Sequence, residues 1–64
     1  MNINVLKVQI LMGKSEMTIN QLAEKCHVSR QTISNMTVRR SCSPITACKI
    51  ATALGVDMEE IVSE

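Results

Sequence analysis

The chain contains no phenylalanine, tyrosine or tryptophan. That absence removes the stacking platforms on which single-strand DNA and RNA modules hold unpaired bases. It also leaves the core to Ile, Leu, Val, Met, Ala and Cys. Glycine occurs twice and proline once, and there are no repeats, linkers or low-complexity tracts. No apolar run is long enough to span a bilayer and none resembles a signal peptide, so no membrane partner is expected. The three cysteines lack CxxC spacing, and one histidine is too few for a familiar zinc pattern. These features predict a cytoplasmic protein with reduced thiols, no metal and no cofactor. Cys26 and Cys48 are then expected as small buried hydrophobes. Catalytic machinery is lacking too. There are no paired carboxylates in a plausible cleft and no Gly-rich phosphate loop, and a Cys26–His27 dyad would have no third group to orient it.

What remains is one small domain of 64 residues, 1–64, with little surface to bury, so that dimerisation would help its stability. The net charge of +1 hides an asymmetry. Of the acids, only Glu16 and Glu24 precede Asp57, Glu59, Glu60 and Glu64. From Lys25 to Val56 there is no Asp or Glu, only Lys25, Arg30, Arg39, Arg40 and Lys49. One end of the domain repels phosphate and the other attracts it.

Residues 1 to 4 read as frayed or extended. Asn4 can cap a first helix from about Val5 to Met12. Val5, Val8, Leu11 and Met12 form its core stripe, and Leu6 and Ile10 fall on a second apolar stripe. That surplus suggests a subunit contact, or a partly extended segment over Ile3 to Ile10, where β-branched residues are frequent. Gly13, Lys14 and Ser15 supply the turn. Thr18 and Gln21 make a capping box for a second helix. Ile19, Leu22, Ala23 and Cys26 stand at i, i+3, i+4 and i+7 as its buried face. His27 and Val28 form a tight turn in which His27 tolerates positive φ and faces solvent, and Ser29 caps a third helix from about Arg30 to Met36. Val28, Ile33 and Met36 anchor that helix. Residues 37 to 42, TVRRSC, read as a basic loop. Ser43-Pro44 opens a fourth helix, with Ala47, Cys48, Ile50, Ala51 and Leu54 as its buried face and Gly55 as its left-handed stop. Asp57 and Glu60 predict a capping box on a short fifth helix, with Met58, Ile61 and Val62 closing the core. The class is all-α, with four or five helices.

The third helix carries the chemistry. Arg30 can bond bidentately to guanine, and Gln31 or Asn35 to adenine. Ser34 shares the reach into a groove, since residues near the start of such a helix enter deepest. Ordinary surface helices favour Glu, Lys and other strong helix formers. This one uses Ser, Thr and Asn, a costly choice that base contact explains. The base-reading set is therefore Arg30, Gln31, Ser34 and Asn35. Phosphates suit the helix N-termini, at Thr18 and Asn20 and at Ser29, together with the cations Arg39 and Arg40 and with Thr32, which can give its hydroxyl to a phosphate or its methyl to a thymine.

Residues 5 to 62 resemble the Cro and lambda-repressor type of helix-turn-helix proteins, also called the xenobiotic-response-element family. The resemblance rests on LAEKCHVSRQTIS at 22 to 34 and KIATALGV at 49 to 56. It implies a compact bundle of the lambda-repressor-like DNA-binding type, with its helix-turn-helix core at 18–36. It further implies a homodimer that binds two-fold symmetric operator double-stranded DNA, usually to repress, in a bacterium, phage or other mobile element. Carried over by position, it implies base reading at Arg30, Gln31, Ser34 and Asn35. Phosphate contacts fall at Thr18, Ser29, Arg39 and Arg40. The chain departs from the family's usual residues at His27 (Gly), Ile19 (Gln), Thr37 (Glu) and Arg39 (Gly). An alternative on the same fold is a protein-interaction module, such as an antitoxin holding a small toxin partner.

Overall fold

Asn4 begins the first helix by accepting the Lys7 amide on its side-chain oxygen at 3.0 Å. The structure, a computed structural model, describes residues 1–63; Glu64 of the acidic end lies outside the described residues. Four helices follow in order: α1 (Val5–Lys14), α2 (Ile19–Cys26), α3 (Arg30–Arg39) and α4 (Pro44–Leu54). A 3-10 turn at Met58–Glu60 closes the chain. Val5 to Ile10 is helix, so the β-branched residues there do not make a strand. Helix α1 runs two residues past the expected Met12. Gly13 and Lys14 are helical, and the turn falls at Ser15 and Glu16 instead.

Each helix start has a side-chain cap that leaves few orphan amides. The Thr18–Gln21 box is complete: the Gln21 amide donates to Thr18 Oγ1 at 3.1 Å and the Thr18 amide to Gln21 Oε1 at 2.9 Å. Ser29 accepts the Thr32 amide at 3.1 Å and Ser43 the Thr46 amide at 3.2 Å, with Pro44 at the first helical position. The expected box at Asp57 does not form. That side chain makes no cap bond, because three residues of 3-10 turn offer a poorer set of amides than an α-helix does.

The helix ends show the cost of scarce glycine. Gly55 ends α4 at φ 72°, but Glu16, His27 and Arg40 take the same left-handed conformation at φ 53°, 58° and 57°. After α2 the Val28 amide returns to the Ala23 carbonyl and the His27 amide to Glu24, a Schellman closure.

The core joins Ile3, Val8, Leu22, Ala23, Cys26, Ile33, Met36, Ala47, Ile50, Ala51, Ala53, Leu54 and Ile61. Leu22, Ile33, Ile50 and Ile61 are its largest fully enclosed side chains, each worth about 1.5–3 kcal/mol of apolar transfer. Helix α2 packs on α3 and on α4, and α4 rests on the closing turn. Two expected core positions lie outside. Cys48 is exposed, because it falls beyond the edge of the Ala47, Ile50, Ala51 and Leu54 stripe; Ala53 is buried on the other side. Ile19 is 38% exposed at the start of α2, where it lines an open apolar cleft with Met12, Met17 and Ile33.

The N-terminal residues are extended and tied down rather than frayed. Asn2 bridges to Ser41 and Ile3 to Val62. The Ile3 amide donates to the Arg40 carbonyl at 2.8 Å, and the Asn4 amide to Ile61 at 2.8 Å. This short crossing stitches the end of α3 to the end of the chain and buries Ile3 almost completely.

Candidate nucleic-acid interface

Helix α2 is followed by a three-residue turn, His27 to Ser29, and then by α3. His27 reverses the chain through its left-handed φ and stays exposed, as expected. Val28 packs against the core behind it. Ile33 and Met36 hold the inner side of α3. At about 100° per residue, the opposite side presents Arg30, Gln31, Ser34 and Asn35, of which Arg30, Gln31 and Asn35 are exposed and Ser34 is half-buried. Gln31 Nε2 donates to Asn35 Oδ1 at 3.0 Å, linking two adjacent turns of that face.

Helix α3 does not stop at Met36. It continues to Arg39, and Arg40 is its left-handed cap, with its amide on the Met36 carbonyl at 2.8 Å. The expected basic loop at 37 to 42 is therefore half helix. Pairing of the N-terminal segment with the chain at 40–42 holds the extra turn, within which Thr37 Oγ1 donates to the Ile33 carbonyl at 3.0 Å. Arg39 thus projects from the last helical turn and Arg40 from the cap, both exposed.

The phosphate candidates fall at two helix starts and one helix end. At α2 the cap uses the amides of Thr18 and Gln21, which leaves those of Ile19 and Asn20 to point outward. At α3 the Ser29 hydroxyl holds the Thr32 amide and lies 2.8 Å from the Thr32 hydroxyl. Thr32 is half-buried, whereas Asn20 and Ser29 are exposed. Sequence reasoning missed Val38, which is 82% exposed on α3. Its spacing of seven residues from Gln31 was the available signal, hidden by ending the helix at Met36.

The thiols are graded by burial. Cys26 donates its thiol to the Lys49 carbonyl at 3.6 Å. Burial pushes it above its ordinary pKa, against the opposing pull of Lys49 and then Lys25. Burial also pushes Cys42 up, against the N-terminal ammonium.

Two helices at a tight left-handed turn, the second supported from beneath and polar above, define a helix-turn-helix DNA-binding protein. A family model described as helix-turn-helix matches residues 8–61. The chain belongs to this family, of the Cro and lambda-repressor type, and is a DNA-binding transcription regulator in the general sense. Comparison with curated proteins and with solved structures found no match. No helix among the described residues is long and apolar enough to cross a membrane.

Proposed function

We propose that residues 1–64 act as a single unit that reads double-stranded operator DNA as a homodimer and represses transcription. The observation that carries this reading is the outward face of α3, where Arg30, Gln31, Ser34 and Asn35 offer donors and acceptors with no acidic residue among them. These four side chains read base edges in the major groove. Thr18, Asn20, Ser29 and Thr32 hold phosphates at the starts of α2 and α3, and Arg39 and Arg40 do so at the far end of α3. The second half-site is met by the second copy, about 34 Å away.

Selection of bound duplexes from a random pool at physiological salt tests this directly. The expected result is a palindromic consensus. On that consensus, Arg30→Ala costs about 1–3 kcal/mol and relaxes one base pair, whereas Arg40→Ala weakens operator and random DNA alike. Equal losses on both DNAs for both variants would remove base reading from α3.

A second reading, an antitoxin-type module on the same fold, is favoured by Leu6, 67% exposed, and Ile10, 47% exposed, which leave an apolar stripe on α1. Co-purification with a second small protein at fixed stoichiometry supports it, and a lone homodimer that shifts DNA argues against it. Both readings can hold at once, since such a module can bind its own operator.

A further inference from the structure

We propose that Val38 is a specificity residue that packs its two methyl groups against the C5 methyl of a thymine in the major groove. This rests on the DNA-reading assignment of α3. Val38 is the most exposed of the large hydrophobic side chains, at 82%. Its position explains why. It follows Gln31 by seven residues, so two turns of helix place it within about 20° of the same line. Ser34 and Asn35 flank that line on either side, and Ile33 and Met36 occupy the opposite side. An exposed β-branched residue gains nothing from packing within the chain and lowers helix propensity. Against a thymine, the same isopropyl group meets the one apolar feature of the major-groove code.

The preceding and following residues fit this role. The hydroxyl of Thr37 is already committed to the Ile33 carbonyl, which leaves Val38 as the outward group of that turn. Arg39 and Arg40 come immediately after it, exposed, where they can hold phosphates flanking the same base pair. The geometry also sets how α3 must lie. Gln31 and Val38 are about 10 Å apart along the helix axis at 1.5 Å per residue. A helix entering end-on would bury only its first turn in the groove. For both residues to touch bases, α3 must lie along the groove.

The test uses the full chain and its selected operator, with each thymine replaced in turn by deoxyuridine, which lacks only the methyl. One thymine per half-site is expected to respond, weakening the wild-type chain about fourfold, the worth of one buried methyl group. Val38→Ala is expected to bind the intact operator more weakly and to be indifferent to uracil at that position, while Val38→Ile keeps the sensitivity. Helicity by circular dichroism should be unchanged in both, since the site is exposed. The proposal is overturned if no thymine couples to position 38, or if Val38→Ala loses affinity equally on every duplex. Arg30→Ala separates the two levels. A changed base preference there with no coupling at Val38 leaves DNA reading intact and removes only the thymine contact. A wild-type chain that selects no consensus overturns both.

Discussion

Gln31 and Asn35 are joined by a 3.0 Å side-chain hydrogen bond across one turn of α3. The bond fixes two long polar side chains that would otherwise lose rotamer freedom on meeting DNA. It leaves the Gln31 carbonyl oxygen and the Asn35 amide group for base edges, an acceptor and a donor that match the adenine pattern. The pair should therefore act as one reader. Gln31→Ala and Asn35→Ala are each expected to cost about 1–3 kcal/mol on the selected operator. The double variant should cost clearly less than their sum. Binding isotherms for the four proteins measure this coupling, and strict additivity would show two independent contacts.

The left-handed residues make a stability prediction that is independent of DNA. His27 ends α2 at φ 58° and is exposed, with its amide in a Schellman closure. A non-glycine residue there carries about 1–2 kcal/mol of steric cost, partly offset in a variant by the greater unfolded-state entropy of glycine. His27→Gly should stabilise by up to about 1 kcal/mol, raising Tm by about 4–8 °C per kcal/mol in a domain of this size. Glu16→Gly should behave alike. Operator affinity of His27→Gly should match the parent chain. A lowered Tm for His27→Gly would mean that the imidazole makes a contact that compensates for its backbone.

Much of this architecture is readable from local residue order. The Thr18–Gln21 box, the Ser29 and Ser43 caps and the Gly55 stop each depend on residues within four positions of one another, and all are present. What escaped depends on distant partners. The last turn of α3 exists because Ile3 and Met1 pair with the chain at Arg40 and Cys42, which no apolar period could signal. Ile19 belongs to the right stripe of α2, but periodicity gives a direction and not how far the neighbouring helices extend. Cys48 differs from Cys26 by a matter of angle, and only the packing of α4 decides which is enclosed. The outward polar face of α3 was legible in residue type. Its full length was not, and Val38 was lost with it.

The cysteines give a graded chemical test. Cys48 is exposed, Cys42 half-buried and Cys26 enclosed. An aqueous thiol reagent should modify Cys48 first and Cys26 only on unfolding, as mass analysis of timed samples can record. The raised thiol values also set the sign of a pH effect. A folded-state pKa above the unfolded one means that the native chain holds its proton longer. That contribution is complete below the ordinary thiol pKa of about 8.5 and fades as pH climbs through the higher native value. Denaturant midpoints should thus fall from about pH 8.5 upward. Cys26→Ala should start lower, because it leaves a cavity, yet decline less steeply. Parallel alkaline slopes for the two proteins would exclude Cys26 as a source.

Arg40 is where backbone strain and charge coincide. Its φ of 57° closes α3, its amide reaches Met36, and its carbonyl receives the Ile3 amide. A strained residue with a cationic side chain at the end of α3, the helix proposed to read bases, fits a site at which function outweighs local stability. Arg40→Gly separates the two effects. It removes the strain and should raise Tm, and it removes the guanidinium proposed to hold a phosphate and should weaken operator and random DNA equally. Each lost phosphate contact flattens the slope of log affinity against log salt by about 0.9. Arg39→Ala, in ordinary helical backbone, should flatten the slope by a similar amount without any gain in Tm. The double variant should then lose about twice as much slope as either alone. If Arg40→Gly gains stability but keeps the parent salt dependence, the guanidinium does not touch the duplex, and the end of α3 must be held through Arg39 alone.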